Sequence, residues 1–193
     1  MMRTWLAVLV LCASGSTLAF AQSGEISVSG GVTHITGDLI SDPVNGDITW
    51  KNGFRLAFRF TWNQGKLFSH EVGYGYSRTQ LWVQGQELAP LSAHQGFYDF
   101  LINGTPEGSR IRPFACGGVQ FTSFYPPGAS VYGGSVTKFG INYGAGVKVK
   151  LTPIWGIRAD FRQYANGKPD FGLGSVSGWM RLTEVTGGFS FLF

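Results

Sequence analysis

Charge is scarce in this chain. Asp, Glu, Lys and Arg make up 13% of the 193 residues, about half their share in an ordinary soluble domain, which disfavours a water-facing exterior. Cysteine is almost missing. Of Cys12 and Cys116 only the second lies beyond the leader described below, so an internal disulfide is not the staple and stability has to come from strand pairing and burial. No run of about 20 apolar residues follows the leader, so no transmembrane helix is expected. The small basic excess, formally +4, is scattered along the chain, whereas a nucleic-acid groove would cluster it; nucleic acid is not an expected partner.

What the chain does have is aromatic residues, at 15%, and glycine, at 29 residues. The first of these begin in the leader. Arg3 precedes an apolar run from Trp5 to Ala13, and small residues then lead to Ala19-Phe20-Ala21, the A-x-A form of a signal-peptidase site. Residues 1–21 read as a signal peptide and 22–193 as one domain starting at Gln22. Val10-Leu11 before Cys12 do not supply the small residue a lipidation site needs.

Strict alternation dominates the remainder. Phe54, Leu56, Phe58, Phe60 and Trp62 share one face and Arg55, Ala57, Arg59 and Thr61 the other. Phe139, Ile141, Tyr143, Ala145, Val147, Val149 and Leu151 likewise oppose Lys138, Gly140, Asn142, Gly144, Gly146, Lys148 and Lys150. With six further strands expected near 25–37, 67–77, 96–103, 110–122, 155–164 and 179–193, the count is eight. Tight turns at 63–66, 104–109 and 152–154 alternate with long links at 38–50, 78–95, 123–137 and 165–178. Sorting short and long links to opposite ends is the pattern of an all-β, eight-stranded antiparallel up-and-down transmembrane β-barrel, with short periplasmic turns and long extracellular loops.

Alternation alone does not say which face points inward, because a soluble lipocalin-like barrel reverses the assignment. The polar face decides. It is rich in small residues, with a few long charged ones: Arg55, Arg59, Glu71, Asp99, Lys148, Arg158, Asp160, Arg162 and Glu184. Small residues make room for long side chains that meet in a narrow lumen. The opposite assignment would place four arginines in lipid at about 2–4 kcal/mol apiece near the midplane.

Arg112-Pro113-Phe114-Ala115-Cys116-Gly117-Gly118, Asn142 to Lys148, Gly156 to Arg162 and the closing Gly187 to Phe193 resemble the small eight-stranded OmpA-type outer-membrane barrels. The resemblance implies a lumen plugged by paired charges, with the acids among the nine residues above matched to the bases. It also implies that Phe189, Phe191 and Phe193, at alternate positions of the last strand, act as the signal read by the barrel assembly machinery. The resemblance covers the barrel alone, so no tether to the cell wall through a periplasmic peptidoglycan-binding domain is expected.

Chemistry is sparse. His34, His70 and His94 sit in separate segments without ligand spacing, and no His-x-Ser pair of the lipid A deacylase type occurs. Gly144-Ala145-Gly146 lies within a strand and opens no phosphate-binding helix. The expectation is a non-enzymatic monomeric barrel in the bacterial outer membrane, without cofactor or metal, whose partners are outer-membrane lipids, the assembly machinery and a surface ligand. Candidate loop contacts are Trp82, Leu88, Phe124, Tyr125 and Tyr132, apolar residues in segments expected to be loops. The alternative is a barrel that binds or passes small hydrophobic solutes; it would need an apolar tunnel where the first reading needs crossing charges.

Overall fold

The computed structural model describes residues 24–36, 48–83, 86–126, 134–169 and 178–193. Its strands are β1 (Gly24–Thr36), β2 (Ile48–Trp50), β3 (Gly53–Gln64), β4 (Phe68–Val83), β5 (Gln86–Asn103), β6 (Ile111–Tyr125), β7 (Val136–Lys150), β8 (Trp155–Gly167) and β9 (Trp179–Leu192). All pairings are antiparallel. Eight strands close a barrel through β1 against β9, and the three-residue β2 extends the line of β3 along β4. The seam is fastened at its end by Gly24 and Phe193, whose backbone amides each donate to the other's carbonyl at 2.6 and 3.0 Å.

Paired residues followed once round the wall run Glu25, Thr61, Glu71, Asp99, Gly118, Asn142, Tyr164, Leu182 and back to β1 at Ile35. The circuit climbs ten residues along β1 before it closes. For eight strands this stagger corresponds to a tilt of about 40°, given the usual rise and strand spacing. At one end the strands are joined by short turns, and Gly65, at φ +75° in the turn after β3, takes a conformation that other residues resist. At the other end lie the longer links.

Two regions differ from the sequence expectation. Segment 78–95 is not a loop: β4 runs to Val83 and β5 begins at Gln86, so it forms most of a long hairpin that continues the wall, broken by a register shift at Leu81/Trp82. The second difference is at residues 48–50, expected within a long link, which form β2. Trp50 has the parity of the outward Phe54, yet it is 8% exposed. Phe54 pairs with Arg78 but Trp50 pairs with Leu81, so the β2–β3 side carries one extra residue over that span. That bulge turns the parity over and sends the indole inward.

Candidate functional site

Side chains cross the lumen in two layers, leaving an open cavity of about 240 Å³ at the turn end beside Glu25, Asn63, Arg112, Lys148 and Ser190. Toward the turn end lie five carboxylates, Glu25, Glu71, Asp99, Asp160 and Glu184, and five bases that meet them, Arg55, Arg59, Lys148, Arg158 and Arg162. Each projects inward because its strand alternates, and neighbouring inward positions are small. Gly75 shows why: a Cβ there would stand 2.1 Å from the guanidinium of Arg55.

Glu71 is the hub. Its carboxylate accepts from Arg162 Nη2 at 2.5 Å, Arg158 Nη1 at 3.0 Å and Thr61 Oγ1 at 2.7 Å, with Arg59 Nε 3.6 Å away. Arg158 also grips Asp160 with two bonds of 2.8 and 2.7 Å, and Arg162 donates to Asp99. Glu184 lies between Arg55 Nε at 2.8 Å and Arg59 Nη2 at 2.7 Å. Such multiple, charge-assisted contacts offset the desolvation that would otherwise make buried charges untenable. Aromatic faces pack on the cations: the guanidinium carbons of Arg59 and Arg162 are 5.8 and 5.3 Å from the Phe97 ring, and Lys148 and Arg158 stand 5.5 and 5.6 Å from Phe114.

Three members of this layer were not singled out from sequence. Glu25 accepts from Lys148 Nζ at 2.5 Å and from Ser190 Oγ at 2.6 Å. Gln95 accepts from Arg55 and donates to Gln120 at 3.1 Å. Arg112 donates to Asn63 Oδ1 at 2.7 Å. Parity was the available signal for Glu25, which shares its face with Ser27 and Ser29. It was weak for Arg112, whose face also carries Phe114, an aromatic that sits inside.

Toward the loop end the lumen turns apolar. Ile35, Trp50, Leu81, Leu91, Ala93, Phe124, Tyr164, Met180 and Leu182 form one buried cluster. Phe124, expected as a surface contact, is 0% exposed, because β6 extends past the membrane-facing stretch and its even positions still point inward. Tyr125 beside it is 43% exposed. Trp82 is half-buried, with Lys51 Nζ 4.5 Å from its ring. The side chain of Leu88 and the whole of Tyr132 lie outside the described residues, as do residues 1–23 with the expected leader.

Phe189, Phe191 and Phe193 are exposed on the outside of the wall, the last two with ring centroids 6.1 Å apart. The histidines also face outward and engage polar neighbours: His34 Nδ1 stands 2.6 Å from Asn52 Oδ1, and His70 Nδ1 2.6 Å from the Tyr98 hydroxyl. Among the described residues no cluster could hold a metal ion, and no helix is long and apolar enough to cross a membrane.

Solved structures with this architecture include OprG of Pseudomonas aeruginosa, 14% identical over 89% of this chain and 97% of that one at a TM-score of 0.59. Neisserial surface protein A is 15% identical over 89% and 97% of the two chains, with a TM-score of 0.59. Ail of Yersinia pestis, solved with the heparin analogue sucrose octasulfate, is 12% identical over 90% and 100%, with a TM-score of 0.57. At such identities the likeness is one of fold. No curated protein sequence matches. The model of one family does match, over residues 5–193, and its location in the outer membrane accords with the apolar outer wall. The chain belongs to the outer membrane protein beta-barrel domain family.

Proposed function

We propose that this barrel is a non-enzymatic, non-conducting scaffold of the outer membrane that presents its β4–β5 hairpin and longer links to the outside as a contact surface. The observation that carries the reading is the obstructed lumen: five acids each paired with a base below, and a packed apolar cluster above. Eight strands leave little interior beyond what side chains occupy. In this reading the leader 1–21 directs export, the mature chain starts at Gln22, and Phe189, Phe191 and Phe193 guide insertion. Purified barrel in planar bilayers is expected to give no steady ion conductance, and shortening the hairpin and the 126–135 link should abolish adhesion to host or cell surfaces while leaving the barrel heat-modifiable. Stable single-channel steps in the intact protein would overturn the plugged reading.

The apolar cluster supports a second reading, in which small hydrophobic solutes enter from the loop end. It requires Ile35, Leu91, Phe124 and Leu182 to part, and it predicts that a disulfide locking β4 to β9 across the cluster would stop uptake of an apolar probe. In the first reading that disulfide changes nothing.

A further inference from the structure

Outside the lumen, one stretch of the wall departs from the plain apolar band. On the outward face of β4 and β5, cross-strand pairs place Arg78 beside Ser92, Tyr76 beside His94 and Tyr74 beside Gly96. His94 is bonded through Nδ1 to the Tyr74 hydroxyl and meets the rings of Tyr76 and Tyr125 edge-on at 5.2 and 5.1 Å. Arg78 is exposed and takes part in no ion pair or side-chain hydrogen bond among the described residues. The acids of these strands at membrane depth, Glu71 and Asp99, both point into the lumen, and the exposed Glu87 stands further along β5 beside Trp82, so among the described residues no acid of this hairpin adjoins Arg78.

Directly below it the wall is hollowed. The Phe121 ring lies over Gly96, where a Cβ would stand 2.5 Å from it, and an open groove of about 500 Å³ runs on between Tyr98, Val119, Phe121 and Phe139. Ser92 and Gly96 are about 13 Å apart along an extended strand, so head and groove stand at successive depths of one leaflet. An apolar slot in a lipid-facing wall, capped by a free guanidinium and a histidine among tyrosine and serine hydroxyls, matches an amphiphile with an acyl chain, a phosphate and a hydroxyl-rich head. Arginine suits phosphate through its planar fork of donors.

We propose that this patch binds one phosphorylated saccharolipid of lipid A type, with a phosphate on Arg78 and His94 and an acyl chain in the groove beside Gly96. The inference rests on the reading above that the loop end faces outward, where that class of lipid forms the leaflet.

The test is a titration of the full chain, purified in mild detergent, with bis-phosphorylated lipid A, dephosphorylated lipid A and phosphatidylglycerol, scored as one-lipid adducts by native mass spectrometry. Bis-phosphorylated lipid A should be retained most tightly, and Arg78→Gln should weaken it by about tenfold, the scale of one lost charge-assisted bond. Arg78→Gln with His94→Leu should weaken it further, while Arg181→Gln, on the far side of the wall, should leave it unchanged. Arg78→Gln removes no packing, and boiling-dependent gel mobility verifies that each variant is folded. Equal retention by the Arg78 variant, or equally tight binding of dephosphorylated lipid A or phosphatidylglycerol, would overturn the proposal. Detergent removes any dependence on location, so recovery of the chain from another membrane would sink the outward-facing reading without touching the titration.

Discussion

The two ends of this barrel obey opposite rules. In the turn-end part, Arg59, Glu71, Asp99 and Arg162 point inward while Phe58, Phe60, Val72 and Phe100 point outward. In the loop-end part, Leu81, Leu91, Phe124 and Leu182 point inward, while Arg78, Gln80, Ser92 and Thr183 point outward. The strands are continuous, so the backbone does not distinguish the two. What changes is the solvent outside: against the acyl chains the apolar residues belong on the outer wall, and from the headgroups outward the same wall meets polar surroundings and the apolar residues retreat to the lumen. The barrel is thus a membrane protein at one level and resembles a small soluble barrel at the next.

That contrast can be broken first at its charged end. Glu71→Ala should be the most damaging of the changes considered, at about 3–5 kcal/mol, because it leaves buried Arg158 and Arg162 with Asp160 as the only acid in contact with both. The check is the urea midpoint of the folded barrel in detergent or bilayer. An unchanged midpoint would mean that the lower lumen is hydrated enough to carry free charge. In the upper lumen Leu182→Ala should cost about 2–4 kcal/mol through lost burial and a residual cavity. If Leu182→Ala were neutral, the apolar cluster would be loosely packed, and the solute-entry reading would gain ground.

The outer wall gives the sharper comparison. Phe58→Arg, at membrane depth, should cost about 2–4 kcal/mol, whereas Gln80→Arg, outward on β4 above that band, should stay within about 0.5 kcal/mol. Equal costs for the two would show that lipid covers both levels and that no inversion exists. Reconstitution in bilayers of different thickness would then locate the boundary between them.

The same inversion explains how much of the fold was legible. The eight strands, their order and the inward face of the charge layer follow from alternation in segments such as 54–62 and 138–151, where lipid demands apolar residues outside and the contrast is high. Residues 78–95 lost that signal, since Leu81, Leu91 and Ala93 face inward and Gln80, Ser92 and His94 outward, a reversed phase that reads as a loop when apolar is taken to mean outside. Pro90 and the register shift blurred it further. Trp50 was illegible for a different reason: the single extra residue of the bulge lies in the hydrogen-bond ladder and leaves no mark in composition. The site was legible in part. Charged residues on a polar face signalled a network, but which base meets which acid depends on the stagger of the whole barrel, and Glu71 meets Arg162 across 91 positions of sequence.

The ten-residue stagger, taken with those pairings, bears on how errors of closure are caught. If a strand slips by one residue, its aromatics enter the lumen and its charges enter lipid, a fault the membrane itself rejects. A slip by two residues is a quieter mistake. Inside stays inside, outside stays outside, and the lipid sees a nearly identical wall. Only the lumen can tell the difference, because Glu25 would no longer reach Lys148, nor Glu184 reach Arg55 and Arg59, across the seam between the first and last strands. The ion pairs therefore act as a checksum on closure, rejecting the even-numbered slips to which the lipid face is blind.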